Sequence, residues 1–135
     1  MGIAKSLFNG ILNNIFSAGN TIHLFSTVPD EDTEAGGVRV SGASYLGYTI
    51  GNGDFSVSNG TATSAKNMML YLCEESGGHG TARGFGVYSG NNLYYFGEFS
   101  DPVSIGYNTV PTIKKYNASK GEGIKITMTS TEVSA

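Results

Sequence analysis

Apolar residues recur with a helical period at the start of the chain. The spacing of three and four residues predicts an amphipathic helix over residues 1–19, closed near Gly19 by the left-handed conformation that glycine tolerates. Its other face carries one charge, Lys5. The apolar stripe contains eight side chains: Ile3, Ala4, Leu7, Phe8, Ile11, Leu12, Ile15 and Phe16.

From residue 20 the apolar period changes to two. Residues 21–27 alternate like a half-buried strand, and the run ends before Pro29, since proline cannot donate to a central ladder. Turn signals, among them Ser58-Asn59-Gly60 and Ser89-Gly90-Asn91-Asn92, separate the later runs. Those further predicted strands cover residues 38–41, 44–50, 55–57, 61–63, 68–73, 84–88, 93–99, 103–105, 109–114 and 123–129.

These patterns predict an all-β fold. Turn signals about every 8 to 12 residues are typical of an antiparallel β-sandwich, and we expect a jelly-roll-like one. The predicted organisation is the N-terminal amphipathic α-helix of residues 1–19, used for docking or assembly, followed by a β-sandwich domain over residues 20–135. No internal repeat or linker divides the chain.

Composition supports a compact, turn-rich domain. The 135 residues include 20 glycines, only 14% of the residues are charged, and the net charge is −3. A hydrophobic fraction of 39% argues against disorder, and the weak negative charge makes nucleic acid an unexpected partner. The single cysteine, Cys73, excludes an intrachain disulfide and sits in an apolar run, so we expect a buried thiol.

The helix stripe has two interpretations. It either docks on the core of its own domain or buries its apolar face against another subunit of a larger particle. A membrane-surface helix would carry lysine and arginine on its polar face, so we expect no membrane contact. We predict the following docking residues: Ile3, Leu7, Phe8, Ile11, Leu12, Ile15 and Phe16.

Catalytic and metal-binding patterns are weak. His23 is predicted to be exposed or at a subunit contact, and His79 to lie in a mobile glycine-rich loop. The two histidines are far apart in the sequence and lack the close spacing of metal ligands. No Gly-x-Ser-x-Gly elbow occurs, and the adjacent carboxylates Glu74 and Glu75 would point to opposite faces of a strand. The acidic residues 30–34 form a solvated loop or a cation site. We predict no catalytic residues, no metal and no cofactor.

Tyrosines supply a second candidate surface. Solvent-facing tyrosines on a β-sandwich stack on sugar rings or anchor protein interfaces. We predict such a role for Tyr45, Tyr94 and Tyr107.

The order of several segments resembles a known protein family. Strand 22–27 is followed by Pro29 and an acidic loop, then by Ser41-Gly42-Ala43-Ser44-Tyr45. Residues 84–88, a Gly-Asn-Asn-Leu turn at 90–93, the aromatic run 94–99, Asp101-Pro102-Val103 and strand 124–128 complete the order. This order resembles small structural proteins of tailed bacteriophages, the tail-fibre or virion-appendage proteins, over residues 21–129. The resemblance names no catalytic residue.

The resemblance implies a non-enzymatic virion protein, assembled in multiple copies in a tail fibre or appendage. Its expected partners are further copies of itself and other virion proteins. Two alternatives from the same resemblance are a head decoration or head-fibre capsid protein, and a tip module that binds a host receptor or glycan. A small hydrolase acting on a surface polysaccharide is a further alternative.

Overall fold

The computed structural model describes residues 3–29 and 36–129. It is mostly β-structure in antiparallel sheets, with one α-helix near the N-terminus, consistent with the predicted all-β sandwich. The acidic residues 30–34, predicted as a solvated loop or a cation site, lie outside the described residues. The elements in chain order are α1 (Lys5–Ile15), β1 (Thr21–Thr27), β2 (Val38–Arg39), β3 (Tyr48–Thr49), β4 (Phe55–Ser58), β5 (Thr61–Ser64), β6 (Met68–Met69), β7 (Gly80–Ser89), β8 (Asn92–Ile105), β9 (Thr112–Ile113), a 3₁₀ turn (Ala118–Lys120) and β10 (Lys125–Thr127).

The largest sheet is built around β1. Its strand order is β2-β1-β7-β8, and β3 also pairs with β1. All these pairs are antiparallel, and Ile22 of β1 faces Val87 of β7 in the ladder. The two long strands β7 and β8 form a hairpin across Gly90 and Asn91, with Gly90 in the left-handed region at φ 58°. The predicted turn at residues 89–92 is therefore confirmed.

Two smaller sheets complete the fold. One has the order β10-β5-β4, and the other is the pair β6-β9. Buried side chains from the helix and from all three sheets form one apolar cluster, with Leu12, Ile22, Ala62, Met68 and Val87 among its members. Cys73 is a free cysteine with no exposed surface, as its apolar neighbours predict.

A buried carboxylate organises the turn before β4. Asp54 is buried, and its Oδ2 accepts hydrogen bonds from the Tyr48 hydroxyl at 2.7 Å and from the Gly51 backbone N–H at 2.8 Å. Burial of the phenol, followed by its hydrogen bond to Asp54, raises the pKa of Tyr48 to about 12. The turn signal Gly51-Asn52-Gly53-Asp54 therefore ties β3 to β4 through a side chain.

One predicted break between strands is absent. The predicted strands 93–99 and 103–105 leave Asp101-Pro102 between them, but β8 continues through this pair to Ile105. Proline is tolerated there because β8 is the last strand of its sheet, where one of its edges needs no ladder partner. The register instead shifts between Ala82 and Gly84 of β7, so β8 bulges at this point.

Candidate functional site

The helix α1 is capped by a side chain at its C-terminal end. The last carbonyls of a helix lack partners within the helix. The Asn20 amide donates hydrogen bonds to the carbonyl oxygens of Asn14 at 3.0 Å and Ile15 at 2.9 Å. Gly19, at φ 95°, turns the chain toward β1 as predicted. The residue that precedes β1 thereby holds the end of the helix.

The predicted apolar stripe is too wide for one contact. At about 100° per residue, its eight positions span roughly 220° of the helix circumference, whereas a core-facing stripe covers little more than about 100°. The structure divides it into an inner arc (Phe8, Leu12 and Phe16), which is buried, and an outer arc (Ile3, Leu7 and Ile11), which is exposed. Ile15 lies between them and is half-buried against the core.

The inner arc packs on its own domain. Contacts of α1 run to β4, β5 and β7, and the Phe16 ring stacks on Phe55 with centroids 4.2 Å apart. Between these contacts, Asn9 Oδ1 accepts a hydrogen bond from the Gly60 N–H at 2.7 Å. Phe8, Leu12 and Phe16, predicted as docking residues, are thus already covered and are not available to a partner.

The outer arc faces solvent. Ile3, Leu7 and Ile11 are 50%, 57% and 39% exposed. The exposed residues beside them are small or neutral: Ala4, Gly10 and Asn14. A Cβ added at Gly10 would meet nothing within 4 Å, so another chain can approach the helix backbone closely there. This arc is an apolar, uncharged surface suited to helix packing.

The three candidate tyrosines do not form one surface. Tyr45 is half-buried, and its hydroxyl accepts the Leu24 N–H at 2.9 Å and lies 3.2 Å from His23 Nδ1. Tyr94 and Tyr107 are 43% and 61% exposed. Tyr94 lies near the β7–β8 turn and Tyr107 beyond the other end of β8, so roughly 30 Å of strand separates them. Tyr94 and Tyr107 therefore cannot contact the same small ligand.

A buried histidine is the main feature that the sequence interpretation missed. His79 lies in the predicted loop, directly before β7, but its side chain is only 1% exposed. Its Nδ1 lies 3.1 Å from the Tyr71 hydroxyl, and its Nε2 lies 3.3 Å from Ser44 Oγ and 3.7 Å from Glu75 Oε1. His23 is half-buried, and its ring packs edge-on against the Tyr88 ring, with the two centroids 5.3 Å apart.

The Ser44–His79 pair has a hydrogen-bonding role. Ser44 Oγ also accepts the Glu74 backbone N–H at 3.2 Å, and the Ser44 N–H donates to Glu75 Oε1 at 3.1 Å. His79 Nδ1, the ring nitrogen that does not face Ser44, lies beside the Tyr71 hydroxyl. In a catalytic triad the corresponding nitrogen donates to a carboxylate. The arrangement cross-links two chain segments that are distant in sequence, the loop at Ser44 and residues 71–79. No local spacing could have revealed it, since 35 residues separate Ser44 from His79.

Glu75 makes this cross-link sensitive to acid. The Ser44 backbone N–H lowers the pKa of the Glu75 carboxyl below its usual value, with smaller contributions from Ala43 and His79. A lowered folded-state pKa stabilises the protein above the unfolded-state pKa, and this contribution is lost as the pH falls through the folded-state value. Glu75→Gln is expected to lower the urea midpoint at pH 7, and the difference from wild type should vanish in acid. An equal difference at both pH values would contradict this.

A cleft of about 310 Å³ opens between β8 and β9. We call it the seam cleft. Its lining combines a buried apolar floor with exposed polar residues at the rim, where Lys114 Nζ lies 2.6 Å from Glu122 Oε2. The floor residues are Leu24, Leu70, Ala82, Ile113 and Ile124, and the charged rim residues are Asp101, Lys114 and Glu122.

We also searched the described residues for metal sites and membrane-spanning helices, and compared the chain with known proteins. Within residues 3–29 and 36–129, no group of three or more histidine, cysteine, aspartate or glutamate residues is arranged to hold a metal ion. The helix in the described part of the chain is too short to cross a bilayer. Comparisons with protein-family models, curated proteins and solved structures find no match to the chain.

Proposed function

We propose that this protein is a non-enzymatic structural subunit of a bacteriophage virion. In this role it assembles in multiple copies within a tail fibre or appendage. The order of segments from residue 21 to residue 129 resembles that of the phage structural proteins, and this resemblance supports the proposal that the protein is part of a virion. The outer arc supports assembly, and it is the observation on which the proposal rests.

The outer arc favours a second copy of this chain as its partner. Its three side chains are apolar, and no charged residue lies beside them on α1, because Lys5 lies on the Phe8 side of the helix, with its Cγ near Gly60. Two copies of the arc can therefore pack together without like-charge repulsion, and Gly10 lets the two helix axes approach closely. A strongly charged partner would gain no ion pair here.

The test is the oligomeric mass of a double variant, Leu7→Gln with Ile11→Gln. Burying a leucine or isoleucine contributes about 1.5–3 kcal/mol, so losing two is expected to weaken self-association by at least about 100-fold. Sedimentation velocity over a concentration series measures this. Both positions are exposed in the single chain, so the fold should survive.

Leu46→Gln is the matched control. Leu46 is even more exposed but lies on a loop and not on α1, so the variant should associate like wild type. A wild-type chain that stays monomeric throughout the series, or a double variant that keeps the wild-type mass, would refute assembly through the outer arc. Antibody labelling of purified phage particles tests the virion role separately, and its position on the particle distinguishes tail fibre from head decoration.

The glycan-binding alternative retains two residues. Tyr94 and Tyr107 are exposed, whereas the Tyr45 hydroxyl is bound to β1. A tip module would therefore use one of two separate tyrosines, each without an aromatic neighbour among the ring contacts of the described residues. This is a weaker basis than the continuous apolar arc of the helix.

A further inference from the structure

The charges around the seam cleft do not balance. Lys114 and Glu122 neutralise each other across 2.6 Å, and Lys114 is the main cause that lowers the pKa of the Glu122 carboxyl. Asp101 is the remaining charged residue of the lining, and no cation of residues 3–29 or 36–129 lies within ion-pair distance of it. The rim therefore carries one formal negative charge that is not compensated.

The β8 bulge places this carboxylate at the cleft. Ala82 pairs with Val103 and Gly84 with Glu98, so one residue of β7 faces four residues of β8. The extra length of β8 bends out of the ladder and carries Asp101 to the rim of the cleft, beside the exposed Val103. Bulges often redirect a side chain next to a binding site. The cleft thus combines a buried apolar floor with a single unpaired anion at its mouth.

We propose that the seam cleft binds an alkyl chain that ends in an ammonium group. The chain would lie on Ala82, Ile113 and Ile124, and the ammonium would pair with Asp101. A volume of about 310 Å³ is at the lower end for ligand pockets, which suits a chain of about four to six carbons better than a multi-ring ligand. A lysine side chain of a partner protein and a free alkylamine share this chemistry. The site is independent of the proposed function, since no residue of α1 lines it.

The experiment is a titration of the full chain with n-hexylammonium chloride at low ionic strength, followed by the methyl NMR signals of Ala82, Ile113 and Ile124. We expect saturable shifts with a Kd of about 1–10 mM, the range for so small a ligand. Hexanol should bind about 2- to 5-fold more weakly, because an exposed ion pair contributes little, and hexanoate should bind more weakly still. Added salt should reduce the preference for the cation.

Variants separate the charge from the cavity. Asp101→Asn should weaken hexylammonium binding about 2- to 5-fold and leave hexanol binding unchanged. Val103→Trp, at an exposed rim position, should block the mouth and weaken binding of both. Glu98→Gln is the control, because Glu98 is an exposed carboxylate on the same strand that does not line the cleft. It should bind like wild type.

Two outcomes would overturn the proposal. One is the absence of saturable shifts at these methyl groups, and the other is hexanoate binding as tightly as hexylammonium. A further titration with Nα-acetyl-lysine methylamide identifies the source of the ligand. Binding equal to that of hexylammonium supports a lysine side chain presented by a protein, whereas binding of the free amine alone supports a small molecule.

Discussion

Gly123→Ala is expected to lower the free energy of unfolding by about 3–5 kcal/mol, which is a large part of the roughly 5–15 kcal/mol that stabilises a typical domain. Gly123 has a φ of 87°, where an L side chain is strained. A Cβ there would also lie 2.8 Å from the Lys114 carbonyl oxygen and closer still to the Tyr116 backbone. Backbone atoms cannot rotate away as a side-chain end can, so the loop itself must shift.

Gly121→Ala is the matched control for Gly123→Ala. Gly121 lies two residues away with a φ of 64°, but a Cβ there would meet nothing within 4 Å. It should therefore cost only the conformational strain, about 1–2 kcal/mol. Urea unfolding followed by circular dichroism measures both variants. Equal losses would mean that the close approach of Gly123 to the Tyr116 backbone has no energetic consequence.

Leu12→Ala is expected to destabilise the protein by about 2–5 kcal/mol. Leu12 is 1% exposed and belongs to the inner arc of α1, so truncation removes buried methyl groups and leaves a cavity beneath the helix. Leu7→Ala, on the outer arc of the same helix, should change the stability of the single chain by less than about 0.5 kcal/mol.

This pair of leucines tests the division of the helix directly. Both substitutions change the helix propensity equally, so the difference between them reports burial alone. Urea unfolding should be measured at a protein concentration low enough to keep the copies separate, since association through Leu7 would add to its apparent stability. Similar losses for the two variants would contradict the assignment of the inner and outer arcs.

The elements that the sequence predicts well are those with local causes. The helical period of residues 3–16 produces α1, and the run of residues 21–27 produces β1 with its predicted limits. Glycine places the β7–β8 turn, because Gly90 adopts the positive φ angle that the turn requires. Each of these depends on neighbours within a few positions in the chain.

The features that the sequence did not predict depend on distant residues. His79 is flanked by glycines, which is typical of a mobile loop. Its side chain is nevertheless buried, and Ser44 and Tyr71 are its hydrogen-bond partners. Asp101-Pro102 resembles a strand end, yet the edge position of β8 allows the strand to continue. The seam cleft arises where β8, β9 and residues 121–124 meet, and no single segment contains its pattern.

The sequence predicts the helix stripe as one surface, and its width of roughly 220° already exceeds that of a single contact. The period does not show which of the eight apolar side chains the domain itself covers. Only the position of β4, β5 and β7 shows that Leu12 is covered by its own domain and Leu7 is not.

The order of the elements also determines how long α1 waits for its docking strands during synthesis on the ribosome. The helix α1 docks on β4, β5 and β7, and β7 ends at Ser89, more than 70 residues after α1. At about 5–20 residues per second, translation leaves the helix without its docking surface for roughly 4–15 s. An isolated helix of 11 residues is marginal in water, so both arcs remain open to chaperones or to neighbouring nascent chains during that interval.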